Sequence, residues 1–352
     1  MNSTAKTELE DERVASGNWF TSFFTKPEAG AVAGAVVVFA IFAIAAPQFT
    51  QPSSIATVLY GASTVGIMAL GVSLLMIGGE FDLSTGVAVI SSALSASLFV
   101  YWFGTNVWVG VLVGLVFSLG VGFINGWLLM KTRLASFIVT LSTFFMLTGL
   151  NLGVTRMITG SVAAPSIAPW PGFESARAVF ASSISIFGVN LRITVIYWIV
   201  LVIIATWILR RTKVGNWIYA SGGAPESARA VGVPVWRTKI GLYMGVGFCA
   251  WLLGMHNLFA FQTVQSGEGI GNEFLYIVAA VVGGCLLTGG YGSAIGGAIG
   301  ALIYGMALSG VVYAEWNPDW LRFFLGAMLL GATVLNFSLQ RRAAKGGGRK
   351  KT

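Results

Sequence analysis

Residues 54–103 read SIATVLYGASTVGIMALGVSLLMIGGEFDLSTGVAVISSALSASLFVYWF, and Glu80 and Asp82 are the only charged residues in this stretch. An apolar run of about 20 residues is long enough to cross the hydrocarbon core of a bilayer as an α-helix. Gly78 and Gly79 lie directly before the two carboxylates, and a glycine pair can break a helix. The stretch therefore predicts two membrane helices separated by a short polar turn.

The composition extends this prediction to the whole chain. It has 352 residues, of which 56% are hydrophobic and 10% are charged, with a mean hydropathy of +0.80. Soluble domains carry about 25% charged residues, so this chain cannot cover a large water-facing surface. The 46 glycines fit a membrane bundle, because small residues let helices approach closely in lipid. We expect an all-α fold, a polytopic membrane helix bundle of about ten transmembrane helices.

Ten apolar runs with few or no charges can be followed along the chain. They cover residues 29–46, 54–77, 84–103, 107–130, 134–153, 193–209, 240–261, 274–287, 291–313 and 320–339. We therefore expect a transmembrane domain over residues 29–339, an N-terminal tail over 1–28 and a basic C-terminal tail over 340–352. The acidic residues in the first tail argue against a cleaved signal peptide.

The basic residues are divided unevenly between the two sides of this bundle. An even number of helices places both termini on one side, and 17 of the 21 Lys and Arg residues fall on that side. Cytoplasmic loops of membrane proteins carry an excess of Lys and Arg, so both termini and the loop 210–239 are predicted to be cytoplasmic. The net charge of +8 follows from this topology, and we expect no nucleic-acid partner.

No pattern typical of an enzyme, a cofactor site or a metal site is found in the sequence. Cys249 and Cys285 lie in apolar runs and are interpreted as packing residues. His256 has no Cys or His neighbour at ligand spacing and is interpreted as structural or pore-adjacent. The nucleotide-binding pattern G-x-x-x-x-G-K-[ST] is absent, so any ATP used in transport must be hydrolysed by another subunit.

The turn between the second and third runs is the first candidate site. A carboxylate close to hydrocarbon is costly and usually marks function. Gly78, Gly79, Glu80, Asp82 and Ser84 are therefore candidates for the translocation path or its gate. A second interpretation is a tight turn in which Asp82 or Ser84 caps the following helix, because short polar side chains accept from free N–H groups. The two interpretations are compatible.

The second candidate site lies in the cytoplasmic stretch 215–234. Pro225 is placed where a helix can begin and Gly232 where it can end, so a short helix of about 10 Å is predicted between them. A helix this short is marginal in water without a partner. It is either a solvated loop helix or a surface that docks onto a cytoplasmic partner, and we favour docking.

Small residues recur every fourth position in two of the runs. The first set is Gly110, Gly114, Ser118 and Gly122, and the second is Gly292, Gly296 and Gly300. This spacing puts each set on one helix face, where small residues allow close backbone contact. Generic bundle packing explains both sets. A role in the path or at a subunit seam is the alternative.

Four segments in sequence order resemble the ribose-type sugar permeases of ATP-binding cassette (ABC) importers. Residues 78–86 resemble the signature G-G-x-D-L-S-x-G with one extra residue, Glu80 or Phe81, before Asp82. Residues 137–141, which read FIVTL and include the path candidate Thr140, resemble the F-I-V-T-L segment. Residues 222–229 resemble the G-G-N-x-x-A-A-R segment, and residues 283–293 resemble the G-G-x-x-x-x-G-G-x-G-S run.

This resemblance implies an inner-membrane importer assembled from several subunits. It implies a dimer of permease subunits, cytoplasmic ATP-binding cassette subunits and a periplasmic sugar-binding protein. It also implies a coupling helix that receives the ATPase stroke, with candidate residues Gly223, Pro225, Glu226, Ala228, Arg229 and Gly232. The expected substrate is a monosaccharide or polyol, because related nucleoside and branched-chain amino-acid permeases tend to carry N-I-G-x-E-G in place of Asp82-Leu83-Ser84.

The sequence is compatible with other functions. The solute could be another small polar molecule, such as a nucleoside or an autoinducer-type sugar. A proton-coupled secondary transporter would relay protons through Glu80 and Asp82, but it would need further ionisable residues in the membrane, and apart from His256 we expect almost none. A passive channel has no distinguishing sequence feature. A membrane enzyme is least supported, since no catalytic constellation is found.

Overall fold

The structure is a computed structural model that describes residues 28–186, 188–331 and 334. The predicted tails lie outside the described residues, except for Glu28, which begins the first helix. The helices are α1 Glu28–Ala45, α2 Pro52–Ile77, α3 Thr85–Phe103, α4 Val107–Thr132, α5 Ser136–Thr159, α6 Phe173–Phe180, α7 Ile193–Arg211, α8 Lys213–Gly223, α9 Pro225–Ala230, α10 Val235–Phe261, α11 Asn272–Val282, α12 Ala294–Tyr313 and α13 Trp320–Gly331.

Eight helices of the described part are long and apolar enough to cross a membrane, namely α1 to α5, α7, α10 and α12. The two remaining predicted runs correspond to the shorter apolar helices α11 and α13. The strands are short: β1 Ala163–Ala164, β2 Ser183–Ile186, β3 Val189–Arg192 and β4 Val264–Gln265. The predicted fold class, an all-α polytopic membrane protein, is confirmed.

The predicted helix over 274–287 is too long at its C-terminal end. Helix α11 ends at Val282, because Gly284 adopts a left-handed φ of 93° and the amide of Cys285 turns back to the carbonyl of Ala280 at 3.1 Å. Helix α2 ends at Ile77 in the same way, because Gly79 has a φ of 80° and the amide of Glu80 donates to the carbonyl of Leu75 at 3.1 Å. Glycine reaches this conformation without a Cβ clash.

The predicted helix over 291–313 begins too early. Helix α12 starts at Ala294, where the hydroxyl of Ser293 accepts a hydrogen bond from the amide of Gly296 at 2.9 Å. The preceding residues form a loop in which Gly289, Gly290 and Gly292 have positive φ angles. A left-handed backbone cannot continue a right-handed helix, so the loop 283–293 interrupts the two apolar runs.

Close contacts between helices depend on the small residues of α4. A Cβ added at Gly114 would lie 2.8 Å from the carbonyl oxygen of Ser92 in α3. The hydroxyl of Ser118 donates to the carbonyl of Gly247 in α10 at 2.7 Å. Gly122 also faces the backbone of α10. The geometry of this set fits packing inside one subunit.

The segment between α5 and α7 folds into a small cap at one end of the bundle. Strand β1 pairs with β4, and β2 forms an antiparallel hairpin with β3. The ring of Phe180 in α6 stacks on Phe259 of α10 at 5.6 Å. His256 lies beneath this contact, with Nδ1 2.8 Å from the carbonyl of Phe180 and Nε2 3.0 Å from the hydroxyl of Tyr60.

Candidate functional site

The loop 78–84, between α2 and α3, is held by the first turns of α5. The amide of Phe81 donates to the hydroxyl of Ser136 at 3.2 Å, and the amide of Leu83 donates to the hydroxyl of Thr140 at 3.1 Å. Asp82 therefore lies between two backbone anchors, and the extra residue, Glu80 or Phe81, lies at the first anchor or directly before it. Thr140, which belongs to a separate sequence motif, is brought into contact with the Asp82 region by this packing.

Asp82 is buried and organises the start of α3. Its Oδ1 accepts from the amide of Ser84 at 2.8 Å and from the hydroxyl of Ser84 at 2.6 Å. Burial raises the pKa of the Asp82 carboxyl to about 6, although the hydrogen bonds from Ser84 and Asn125 act in the opposite direction. Ser84 is the N-cap residue of α3, but its side chain forms no capping hydrogen bond. Of the two predicted capping residues, only Asp82 binds a free amide at this helix start.

The polar cluster around Asp82 includes residues that the sequence analysis missed. The amide nitrogen of Asn125 donates to the hydroxyl of Ser84 at 3.2 Å, and the hydroxyl of Thr143 donates to Oδ1 of Asn125 at 2.6 Å. Both residues are buried. A lone amide in the apolar run of α4 was the available signal, because a buried amide requires partners.

Glu80 forms a buried ion pair with Lys239, whose Nζ donates to Oε1 of the carboxylate. Lys239 belongs to the predicted cytoplasmic loop 210–239, but α10 begins at Val235 and carries Lys239 into the interior. Glu273 is buried as well and accepts from the amide of Gly271. Two ionisable side chains, Lys239 and Glu273, are therefore buried in the fold in addition to Glu80 and Asp82, because both helices begin earlier than the apolar runs suggested.

Three glycine pairs meet where α2, α8 and the loop 283–293 converge. The amide of Gly290 donates to the carbonyl of Ile77 at 2.8 Å. A Cβ on Gly222 would collide with the carbonyl of Ile77 and lie 2.8 Å from the amide of Gly290. A Cβ on Gly289 would lie 2.6 Å from the Cα of Gly79. We call residues 78–79, 222–223 and 289–290 the glycine junction.

The predicted coupling residues begin with Gly223 in this junction and continue into helix α9. Helix α9 begins at Pro225 and ends at Ala230, close to the predicted bounds, and Gly232 follows with a φ of 86°. Ala228 is buried, whereas Glu226 and Arg229 are exposed and form an ion pair at 3.0 Å. Val231 is 80% exposed. The short helix therefore presents two charges and an apolar side chain to the outside.

The predicted packing glycines do not share one helix face. Gly292 lies in the loop before α12 with a φ of 145°, so the interpretation as a three-glycine stripe is wrong. Gly296 and Gly300 are in α12, where a Cβ would collide with the carbonyls of Gly283 and Ala279. The carbonyl of Gly292 instead accepts from the hydroxyl of Tyr219 in α8 at 2.9 Å. Gly296 and Gly300 therefore pack α12 against α11, whereas Gly292 connects the loop 283–293 to α8.

Residues 54–333 match the protein family described as "Branched-chain amino acid transport system / permease component". The chain belongs to this family. The permease is 31% identical to the probable ABC transporter permease protein y4mJ of Sinorhizobium fredii (strain NBRC 101917 / NGR234), over 89% of this chain and 91% of that protein. No solved structure matches this chain significantly.

Relatives with named substrates are also found. The permease is 29% identical to the ribose import permease protein RbsC of Escherichia coli (strain K12), over 86% of this chain and 91% of that protein. It is 28% identical to the fructose import permease protein FrcC of Rhizobium meliloti, over 84% and 81% of the two chains. Together with the eight long apolar helices, these matches identify an ABC permease that is a multi-pass protein of the inner membrane.

Proposed function

We propose that this chain is the permease subunit of an ABC importer that carries a monosaccharide or polyol. The observation that supports this most directly is similarity, over more than 80% of both chains, to permeases named for ribose and fructose import. The family description names branched-chain amino acids instead. Asp82-Leu83-Ser84 favours the sugar branch, and the hydrogen bonds of Asp82 give this sequence difference a structural role.

The proposed topology has ten crossings and two cytoplasmic termini. Helix α11 has 11 residues, which at 1.5 Å per residue is about 16 Å and too short for one crossing. The loop 283–293 turns back where the amide of Leu286 donates to the carbonyl of Tyr291, and its tip at Gly290 contacts Ile77 at the end of α2. Helix α11 and this loop therefore make one crossing together. Discontinuous membrane helices of this kind are common near transport paths.

The proposed partners are a cytoplasmic ATP-binding cassette subunit, a periplasmic binding protein and a second permease subunit. Helix α9 would dock onto the ATPase through the exposed Glu226, Arg229 and Val231. The glycine junction would carry the movement onward, because Gly222 touches the end of α2 without any intervening side chain. Loop 78–84 begins at that end and holds the path candidates Glu80 and Asp82.

Uptake by the complete transporter tests this function. The permease would be reconstituted with its ATPase and binding protein, and uptake of D-ribose, D-fructose and D-galactose would be measured with ATP, without ATP and with a protonophore. We expect ATP-dependent uptake of at least one sugar that survives collapse of the proton gradient. Uptake that needs only the proton gradient would establish the secondary transporter, and uptake that needs neither would establish a channel.

A charge-swapped variant tests the docking surface. The double substitution Glu226→Arg and Arg229→Glu keeps an ion pair of the same spacing and reverses its polarity. We expect ATPase association and uptake to fall strongly while the bundle stays folded. Normal uptake and normal association in this variant would place the docking surface elsewhere.

A further inference from the structure

A cavity of about 480 Å³ lies between α2, α10, α11 and α12, at a distance from the Asp82 cluster. Its wall contains hydroxyl, phenol and amide groups as well as apolar side chains, among them Thr64, Asn257, Tyr276, Tyr304 and Ser309. None of the residues that line it is charged. A volume of this size falls within the range of small-molecule sites, about 300–1,000 Å³.

Several polar groups of this cavity lack protein partners. Within the described part of the chain, the side chains of Asn257, Tyr276 and Tyr304 form no hydrogen bond. Tyr276 is only 4% exposed. Asn257 and Tyr304 are only partly buried, so their amide and phenol groups are open to the cavity and are available to bind a polar molecule that enters it.

A second cavity lies next to this one, beside the β2–β3 hairpin. It has a volume of about 400 Å³ and is lined in part by Asn190 and Arg192. Thr57 and Tyr60 line both cavities. The hydroxyl of Tyr60 is fixed by His256 at 3.0 Å. The two cavities therefore share one wall, formed by Thr57 and Tyr60, and the second cavity lies on the side of the hairpin.

The position of Thr57 along α2 shows at which end of the bundle the two cavities lie. Thr57 lies 20 residues before Ile77 in the same helix, which corresponds to about 30 Å. Ile77 contacts Gly222 and Gly290 in the glycine junction, beside the proposed coupling helix. The cavity is therefore at the end of the bundle away from the proposed ATPase surface.

We propose that this cavity is the site where the permease receives a monosaccharide from the extracytoplasmic side, an assignment that rests on the proposed function. A sugar presents several hydroxyl groups, which the amide of Asn257 and the phenols of Tyr276 and Tyr304 can bind as donors and acceptors. Its carbon face packs on aromatic rings. A free amino acid carries two charges, and a cavity without charged side chains would leave both unpaired.

Protection of a single cysteine tests the assignment. Cys249 and Cys285 would be replaced by alanine, and Thr64→Cys would be treated with a hydrophilic methanethiosulfonate reagent in the complete transporter. We expect D-ribose, D-fructose or D-galactose to slow this modification by at least about threefold, the factor for a ligand at twice its dissociation constant. The control is Ile55→Cys, which lies in the same helix, is 43% exposed and does not line the cavity.

The outcomes separate this assignment from the proposed function. If the unaltered transporter imports one of these sugars but that sugar does not protect Thr64→Cys, the importer function stands and the cavity assignment fails. Equal slowing at Ile55→Cys would also overturn the assignment. If no sugar is imported, the proposed function fails, whereas selective protection of Thr64→Cys would still support a sugar site.

Uptake by a cavity variant gives a second readout. Asn257→Ala removes an amide that can form two or more hydrogen bonds with a sugar, so we expect uptake to fall about tenfold per folded transporter. Ile55→Ala is the matched control on the outside of α2 and should retain uptake. Unchanged uptake by Asn257→Ala would contradict the assignment.

Discussion

Nζ of Lys239 donates a hydrogen bond to Oε1 of Glu80, and the two side chains are only 10% and 11% exposed. This contact joins the loop after α2 to the first turns of α10 across 159 residues of sequence. A buried ion pair is often no more stabilising than an apolar pair, but removing one partner leaves an uncompensated charge. The pair therefore fixes the position of loop 78–84 as long as both charges are present.

We expect Glu80→Gln to lower the free energy of unfolding by about 3–5 kcal/mol, because the ammonium of Lys239 then stays buried without a counter-charge. The double variant Glu80→Leu, Lys239→Met should recover much of this loss, since neither charge remains. Thermal unfolding of the three proteins in the same detergent gives the comparison. If Glu80→Gln has the same melting temperature as the unaltered protein, the ion pair is not buried as described.

Asp82 allows a test of its hydrogen-bonding role. Asp82→Asn keeps an oxygen that can accept from the amide of Ser84, whereas Asp82→Leu leaves this amide unpaired at a cost of about 1–3 kcal/mol. We expect Asp82→Asn to retain substantial uptake and Asp82→Leu to lose it, after normalisation to the protein in the membrane. Equal loss in both variants would support proton transfer by the carboxylate.

The pH dependence of stability offers a separate test of Asp82. Its carboxyl has a pKa of about 6 in the fold, above the ordinary value of 3.8, so the folded state holds the proton more tightly. The resulting stabilisation is fully present below about pH 3.8 and is lost as the pH rises through about 6. The stability difference between the unaltered protein and Asp82→Asn should change across this interval. A constant difference would mean that Asp82 is not desolvated.

The glycine junction provides a matched pair of adjacent substitutions. A Cβ at Gly222 collides with the backbone of Ile77, whereas a Cβ at Gly223 meets only the Cα of Gly290 at 3.7 Å. We expect Gly222→Ala to separate α8 from α2 and to reduce uptake per ATP hydrolysed, while Gly223→Ala stays close to the unaltered protein. Coupled uptake and ATPase assays measure this ratio. If both variants couple normally, movement does not pass through this contact.

The proposed topology is tested by labelling two exposed positions. In a background without Cys249 and Cys285, Ser227→Cys in α9 should resist a membrane-impermeant thiol reagent in intact cells, and Asn190→Cys in β3 should react. Permeabilised cells should react at both positions. Labelling of Ser227→Cys in intact cells would overturn the assignment of loop 210–239 to the cytoplasm.

The membrane bundle was predictable from the sequence because hydropathy acts locally. A run such as residues 107–130 must be helical in lipid, whatever its neighbours are, since its backbone groups have no water to bind. The short helix after Pro225 was also predictable from local sequence, because proline and glycine constrain the backbone at their own positions. The ends of α11 and α12 were not, because the glycines of 283–293 are compatible with both a helix and a turn.

The sequence by itself determined that this chain spans a membrane repeatedly, that its loops differ in charge, and that Glu80 and Asp82 interrupt an apolar stretch. The tertiary structure decided which groups compensate these carboxylates: Lys239 for Glu80, and Ser84 with Asn125 for Asp82. It also decided that Gly222 meets the end of α2. A buried carboxylate requires a partner because its desolvation is costly, and this much can be read from the sequence. Which residue is the partner depends on distances between side chains across the bundle, and only the tertiary structure gives them.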